Sequence, residues 1–341
     1  MPIITAHACL SSTTSIDKVV TQPLTRTDTA QGDGLKRLRL ASRASPLALA
    51  QTRQVVAGLS DMADMADMAC EIVSLSTTGD EVLDRPLVEV GGKGVFIKTL
   101  EAALLDGRAD IAVHSAKDME AYFADGTEIA AFIAREDMRD ALVGPFPDLA
   151  SLPEGAVVGT ASVRRTALLK HHRPDLEIRL LRGNINSRLA RLEGGEFDAI
   201  LLATAGLKRL ELDVQYHPLD IDIMPPAAAQ GALAIQIVTA HPHYHAIKSL
   251  CERLNCADTA DCVMAERAAL AYLDGSCQTP IAAIAQMLPE GQISLCLSVL
   301  SADGSQKFDI TDTADRQDSV QLGLSCAECL LAQCGGRDFL A

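Results

Sequence analysis

Apolar and polar positions alternate along "LKRLRLAS" (35–42), as in a half-buried strand. "PLALAQTRQVVAGL" (46–59) switches to helical spacing, and Pro46 suits a first helical turn. "DMADMADMAC" (61–70) is a local three-residue repeat, too short for a solenoid, and reads as a helix end or loop. "CEIVSLST" (70–77) reads as a second strand. Within "GGKGVFIKTLEAALLDGRADIAVHS" (91–115), Phe96, Leu100, Ala103 and Leu104 mark one helix face between a glycine loop and a short apolar strand. The pattern then predicts strand 156–160, helix 162–171, strand 177–181, helix 185–193 and strand 198–204. Strands alternating with helices point to parallel α/β sheets. Beyond about residue 255 the order changes to a helix (259–273), strands near 281–287 and 292–300, and a last helix (317–333), a smaller α+β unit.

Composition narrows this picture. The chain has 341 residues, room for two or three domains, and 48% hydrophobic residues supply a core. Aromatics are 3% and Trp is absent, so aliphatic side chains must fill it. A net charge of −15 repels nucleic acid and anionic membranes, and no apolar run reaches transmembrane length. The ten cysteines recur at no fixed spacing, which favours reduced thiols over a disulfide framework. Residues 1–34 lack the basic and apolar regions of a secretory signal; they read as a flexible extension, with organelle import left open.

Several stretches could carry chemistry. "HSAKDME" puts His114, Lys117 and Asp118 just past a predicted parallel strand, where open α/β sheets bind ligands. An Asp beside a Lys can stay ionised and still exchange protons with a bound amine; an ordinary charged turn is the plainer alternative. Between Thr160 and Arg191 eight cations face only Asp175 and Glu177. "GTASVRR" (159–165) and "LRGNINSR" (181–188) each place Arg side chains at a strand-to-helix junction, where free N–H groups already favour anions. Arg forks match carboxylates, so a small ligand with several carboxylates or phosphates is expected; the plainer alternative is a solvated helix face. "GGKG" (91–94) is not a Walker loop and reads as a mobile lid. "CAEC" (326–329) with Cys334 reads as helical packing and "HPHYH" (241–245) as an exposed helix start, so no metal site is expected. Cys277, in "GSCQTP", is locally no more than one thiol among ten.

Taken in order, "ASRASPLALAQ" (41–51), "TTGD" (77–80), "VGGKGVFIKTLE" (90–101), "RADIAVHSAKD" (108–118), "REDMRDA" (135–141), "GTASVRR", "LRGNINSRL" (181–189), "AGLKRL" (205–210), "AAAQGALAI" (227–235) and "GSCQTPI" (276–281) closely resemble the porphobilinogen deaminase (hydroxymethylbilane synthase) family over about residues 37–341. The resemblance implies an α/β fold of three domains, two periplasmic-binding-protein-like lobes with a central cleft and a small α+β C-terminal domain. The expected division is 35–134 with 230–250, then 135–229, then 255–341. It implies a transferase of tetrapyrrole (haem/chlorophyll) biosynthesis that condenses four porphobilinogen molecules head to tail, releases ammonia and yields hydroxymethylbilane. A dipyrromethane cofactor would be held by a thioether to Cys277 and would prime the chain.

By the same match, Asp118 is the catalytic carboxylate, placed to pair with pyrrole N–H groups and to stabilise the cation left after ammonia departs. Cofactor and substrate would be bound by Arg43, Ser45, Asp80, Lys93, Lys117, Thr160, Ser162, Arg164, Arg165, Arg182, Gly183, Arg188 and Gln230, the arginines meeting carboxylates. A cytoplasmic monomer is expected, with neither nucleic acid nor membrane as partner. Thr78, Met119–Glu120, Ala161 and Ser276 stand where the family usually carries other residues. The competing reading is a non-enzymatic two-lobed binding protein for a small polycarboxylate, which would need neither Cys277 nor Asp118.

Overall fold

The computed structural model describes residues 35–62, 68–76, 97–120, 123–273 and 279–340. Asp80, Lys93, Cys277, Thr78 and the glycine loop lie outside the described residues.

Among the described residues, three sheets organise the fold. The first lobe contains β1 (Arg37–Arg43), β2 (Ala69–Leu75), β3 (Ile111–Ser115), β4 (Thr127–Ile133) and β10 (Leu233–Val238), ordered β2-β1-β3-β10-β4. Alternation along β1 explains its two faces. Leu38 and Leu40 pack with Val55 and Leu59 of α1 (Pro46–Ser60) and with Ile247 and Cys251 of α6 (Tyr244–Leu254). Ala41 turns the other way, onto Leu100, Ala103 and Leu104 of α2 (Lys98–Leu105).

The second lobe repeats this plan. β5 (Asp140–Val143), β6 (Val157–Thr160), β7 (Glu177–Leu180), β8 (Ala199–Ala203) and β9 (Tyr216–Pro218) run in the order β7-β6-β8-β5-β9. α3 (Val163–His172) covers one face through Ala167, Leu168 and Leu169. α4 (Ile185–Glu193) and α5 (Thr204–Arg209) cover the other through Leu189 and Leu207.

The sheets are mixed rather than purely parallel. β10 runs antiparallel to β3 and β4, and β5 antiparallel to β8 and β9. Each antiparallel strand is the first laid down after the chain crosses between lobes. Residues 134–139 carry it from β4 to β5, and residues 219–232 carry it back from β9 to β10. The local pattern of each strand reports its burial, which is identical for either direction, so the sequence could not reveal this.

The third unit packs α7 (Ala257–Tyr272) and α8 (Ser319–Gln333) on an antiparallel sheet of β11 (Ile281–Met287), β12 (Gln292–Leu300) and β13 (Lys307–Asp315). β13 escaped the sequence reading because "KFDITDTAD" is rich in Asp, which disfavours strands; its ladder with β12 overrides that preference. Glu266 of α7 is fully buried and ties this unit to both crossings. Its Oε1 accepts from Arg135 Nη1 at 2.6 Å and from Ala285 N at 2.7 Å, and its Oε2 from Ala229 N at 2.5 Å. Ala229 sits at φ 60, a left-handed conformation costly for a side chain, which these contacts hold in place.

Cys326 lies in the core of the third unit, and burial pushes its thiol up to about 12, as expected of a packing residue. Among the described residues no three His, Cys, Asp or Glu side chains cluster to hold a metal ion, and no helix is long and apolar enough to cross a membrane.

Candidate active site

The C-terminal ends of β1, β3, β6, β7 and β8 converge on a cleft between the lobes. It encloses a cavity of about 490 Å³.

The first lobe supplies one wall. β3 ends at Ser115, and Ala116–Asp118 form a single 3₁₀ turn that sets Lys117 and Asp118 on the cavity. Met119 anchors that turn: it is buried among Ile97, Ala116, Phe132 and Val263. Arg267 Nη2 of α7 donates to Glu120 O at 2.5 Å. The departure at Met119–Glu120 is thus an apolar plug with a backbone clamp. Arg43 lines the cavity from the end of β1, with Ser45, whose Oγ accepts from Ala48 N at 3.3 Å as the N-cap of α1. Burial pulls the Lys117 ammonium down to about 8, partly countered by Asp118 and Asp140, while Arg165 and Arg164 lower it further. His114, one residue before Ser115, points into the lobe. Burial brings it down to about 4, so it is neutral at pH 7.

The second lobe supplies the other wall. Arg165, Arg182, Gly183 and Arg188 line the cavity. Asn184 caps α4 by accepting from Ser187 N at 2.9 Å. Gly183 is required there: it sits at φ +112, and a Cβ would collide with Ser187 Oγ. Its carbonyl accepts from Arg188 Nε at 2.8 Å. Desolvation, with Arg165 and Arg182 adding to it, brings Arg188 down to about 10. Such mutual repulsion among cations is relieved by an anionic ligand.

Four residues expected at the site stand behind this wall. Thr160 is buried, and its Oγ1 accepts from Ser162 N at 3.1 Å. Ser162 caps α3, its Oγ accepting from Arg165 N at 3.4 Å. Arg164 donates to Asp140 Oδ2 at 2.7 Å and to Pro225 O at 2.5 Å. Gln230 is buried and accepts from Lys117 Nζ at 3.2 Å. Thr160, Arg164 and Gln230 are buried, Ser162 is half-exposed, and none of the four lines the cavity.

Two residues were missed. Asp140 is fully buried and holds both Arg164 and Arg165; burial opposes its ionisation, but the two guanidiniums outweigh this and keep it well below the ordinary carboxylate range. Arg209 lines the cavity and spans the lobes, with Nε donating to Gln54 Oε1 of α1 at 3.2 Å and Nη2 to Gly231 O at 2.8 Å. Both lie inside stretches that carried the family resemblance, "REDMRDA" and "AGLKRL", which was the available signal.

Comparison with known proteins adds two family models. One, described as porphobilinogen deaminase, dipyrromethane cofactor binding domain, matches residues 38–246; the other, described as porphobilinogen deaminase, C-terminal domain, matches residues 260–332. Similar solved structures include the BvgS periplasmic domain of Bordetella pertussis, at 16% identity and TM-score 0.36, the match covering 64% of this chain and 40% of that one. The periplasmic aliphatic sulphonate binding protein SsuA of Escherichia coli matches at 14% identity and TM-score 0.39, covering 66% of this chain and 72% of that one. An arginine-specific periplasmic binding protein of Salmonella typhimurium matches at 12% identity and TM-score 0.37, covering 64% and 91%. The structural likenesses say nothing of ligand or activity. The family models decide the family: with 38–246 and 260–332 both matched, the chain belongs to the porphobilinogen deaminase family.

Proposed function

We propose that this chain joins four porphobilinogen molecules head to tail, releasing one ammonia at each addition, and frees hydroxymethylbilane by hydrolysis. The observation that carries this reading is the pairing across one cavity of Lys117 and Asp118 with Arg165, Arg182 and Arg188. The residues suit a dipyrromethane bearing acetate and propionate chains. Arg165 Nε is buried without a hydrogen-bond partner among the described residues, and Arg188 is crowded by like charges. Both are signs of a wall built for carboxylates.

When bound, dipyrromethane supplies the terminal pyrrole carbon to which the first substrate is joined. Arg165, Arg182 and Arg188, with Arg43 opposite, hold the ring carboxylates and so orient each incoming pyrrole. Asp118 accepts from pyrrole N–H groups. Its charge opposes the positive charge that develops on the substrate methylene as its C–N bond breaks and ammonia leaves. It also assists removal of the proton displaced when the new C–C bond forms. Lys117 beside it holds a carboxylate while protonated. Cys277 is proposed as the thioether anchor, with Asp80 and Lys93 on the same site. The units 35–134 with 230–250, 135–229 and 255–341 are proposed as the three domains of a cytoplasmic monomer.

Intact-mass measurement of the purified chain tests this. The wild type is expected to carry one dipyrromethane and Cys277→Ala none; an unmodified wild type that is fully active, or a fully active Cys277→Ala, would sink the reading. Asp118→Asn is expected to keep the added mass and lose about 10²-fold or more in turnover. Binding of porphobilinogen with no ammonia released from the wild type would instead favour the two-lobed binding protein.

A further inference from the structure

Behind the cavity one carboxylate reaches the chemistry of both lobes. Asp140 opens β5, the first strand after the chain enters the second lobe, and is fully buried. Its Oδ1 accepts from Arg165 Nη2 at 2.7 Å and from Gln230 Nε2 at 2.8 Å; its Oδ2 takes Arg164 Nη2 at 2.7 Å. Gln230 lies on the return crossing and presents Oε1 to Lys117 Nζ at 3.2 Å. The amide orientation is decided by its neighbours. Nε2 also donates to Met138 O at 2.8 Å, so a flipped amide would aim its N–H groups at an ammonium and its oxygen at two acceptors.

We propose that Asp140 is a positioning residue of the reaction, holding Arg165 on one wall and, through Gln230, Lys117 on the other, so that the two cations meet the same ligand in a fixed arrangement. The geometry stands on the structure; its consequence for catalysis rests on the proposed function. Four charged groups face Lys117: Asp118 from its own turn, Arg164 and Arg165 from α3, and Asp140 from β5. Without Asp140, two guanidiniums and one carboxylate remain. Without the Gln230 carbonyl, the ammonium loses the neutral acceptor that replaces water. Either change makes Lys117 give up its proton more readily. A role of Asp140 confined to folding the second lobe would leave this lysine, which belongs to the first lobe, unaffected.

The test is a ¹³Cε NMR titration of lysine-labelled full-length protein between about pH 6 and 10, with the Lys117 signal assigned by its loss in Lys117→Arg. Protein groups alone place the midpoint at about 8 and a bound carboxylate raises it, so each variant is read against the wild type in the same bound state. Asp140→Asn and Gln230→Met are each expected to lower it by about half a unit or more, roughly threefold in proton affinity. The high-pH limb of porphobilinogen turnover should move down with it. Gln230→Met keeps both Asp140–Arg pairs, so it decides the matter should Asp140→Asn fail to fold. An unchanged midpoint in Gln230→Met overturns the proposal. A wild type that titrates as expected but consumes no porphobilinogen overturns the proposed function and leaves the Asp140–Gln230–Lys117 link supported.

Discussion

The two strand-to-helix junctions of the second lobe look alike in sequence and differ in use. β6 leads through "GTASVRR" into α3 and β7 through "LRGNINSR" into α4, each with a polar cap and a pair of Arg side chains. At the first junction both guanidiniums turn inward to a single buried carboxylate, Asp140. Arg164 is consumed there, and Arg165 reaches the cavity from a braced position. At the second, Arg188 spends Nε on the Gly183 carbonyl, and it faces the cavity together with Arg182. The first junction therefore gives the cavity one braced arginine, and the second gives it two. A buried pair contributes rigidity and location at a desolvation cost, whereas half-buried cations keep their charge for an incoming anion.

This contrast can be broken by mutation. The largest effect belongs to the first junction. Asp140→Ala leaves two buried guanidiniums uncompensated and is expected to destabilise the protein by about 3–5 kcal/mol, read from the denaturant midpoint. Arg182→Leu at the second junction is expected to leave that midpoint nearly unchanged. It should weaken assembly or elongation of the bound pyrrole chain by about 1.5–3 kcal/mol, roughly tenfold or more, measured as slower chain extension. Equal loss of stability in the two variants would erase the distinction.

Acid should expose the same difference more gently. The folded-state pKa of Asp140 is lowered, so its contribution is full above the unfolded value of about 4 and is lost as pH falls toward the folded one. The stability gap between wild type and Asp140→Asn should shrink below about pH 4, while the gap between wild type and Arg182→Leu should not follow it. The smallest effect tests what the junctions share. Ser162→Ala and Asn184→Ala each remove a helix cap and are expected to cost about 1 kcal/mol alike. A large difference between them would mean that the caps, too, have different duties.

Much of the fold was legible because it is local. Leu38 and Leu40 alternating with Arg37 and Arg39 announce a strand, and Leu100, Ala103 and Leu104 announce one side of a helix. Lys117 and Asp118 were legible as a strand-end pair, and the structure sets both on the cavity. What was not legible depends on distance along the chain. β5 and β10 run antiparallel because each follows a crossing between lobes, and β13 is held by its neighbour against its own composition. Thr160, Ser162, Arg164 and Gln230 were expected at the site and do not line the cavity, because no local pattern tells a residue on the cavity from one beside it.

By itself, the sequence determined many of the strands and helices, which junctions gather the arginines, and to which family the chain belongs, since periodicity, capping and motif order are written in neighbouring residues. Only the tertiary structure decided which of those arginines face the cavity. The carboxylate that claims Arg164 and braces Arg165 lies 24 and 25 residues away, and the glutamine that links it to Lys117 lies 90 residues beyond it. A buried charge must find its partner in space.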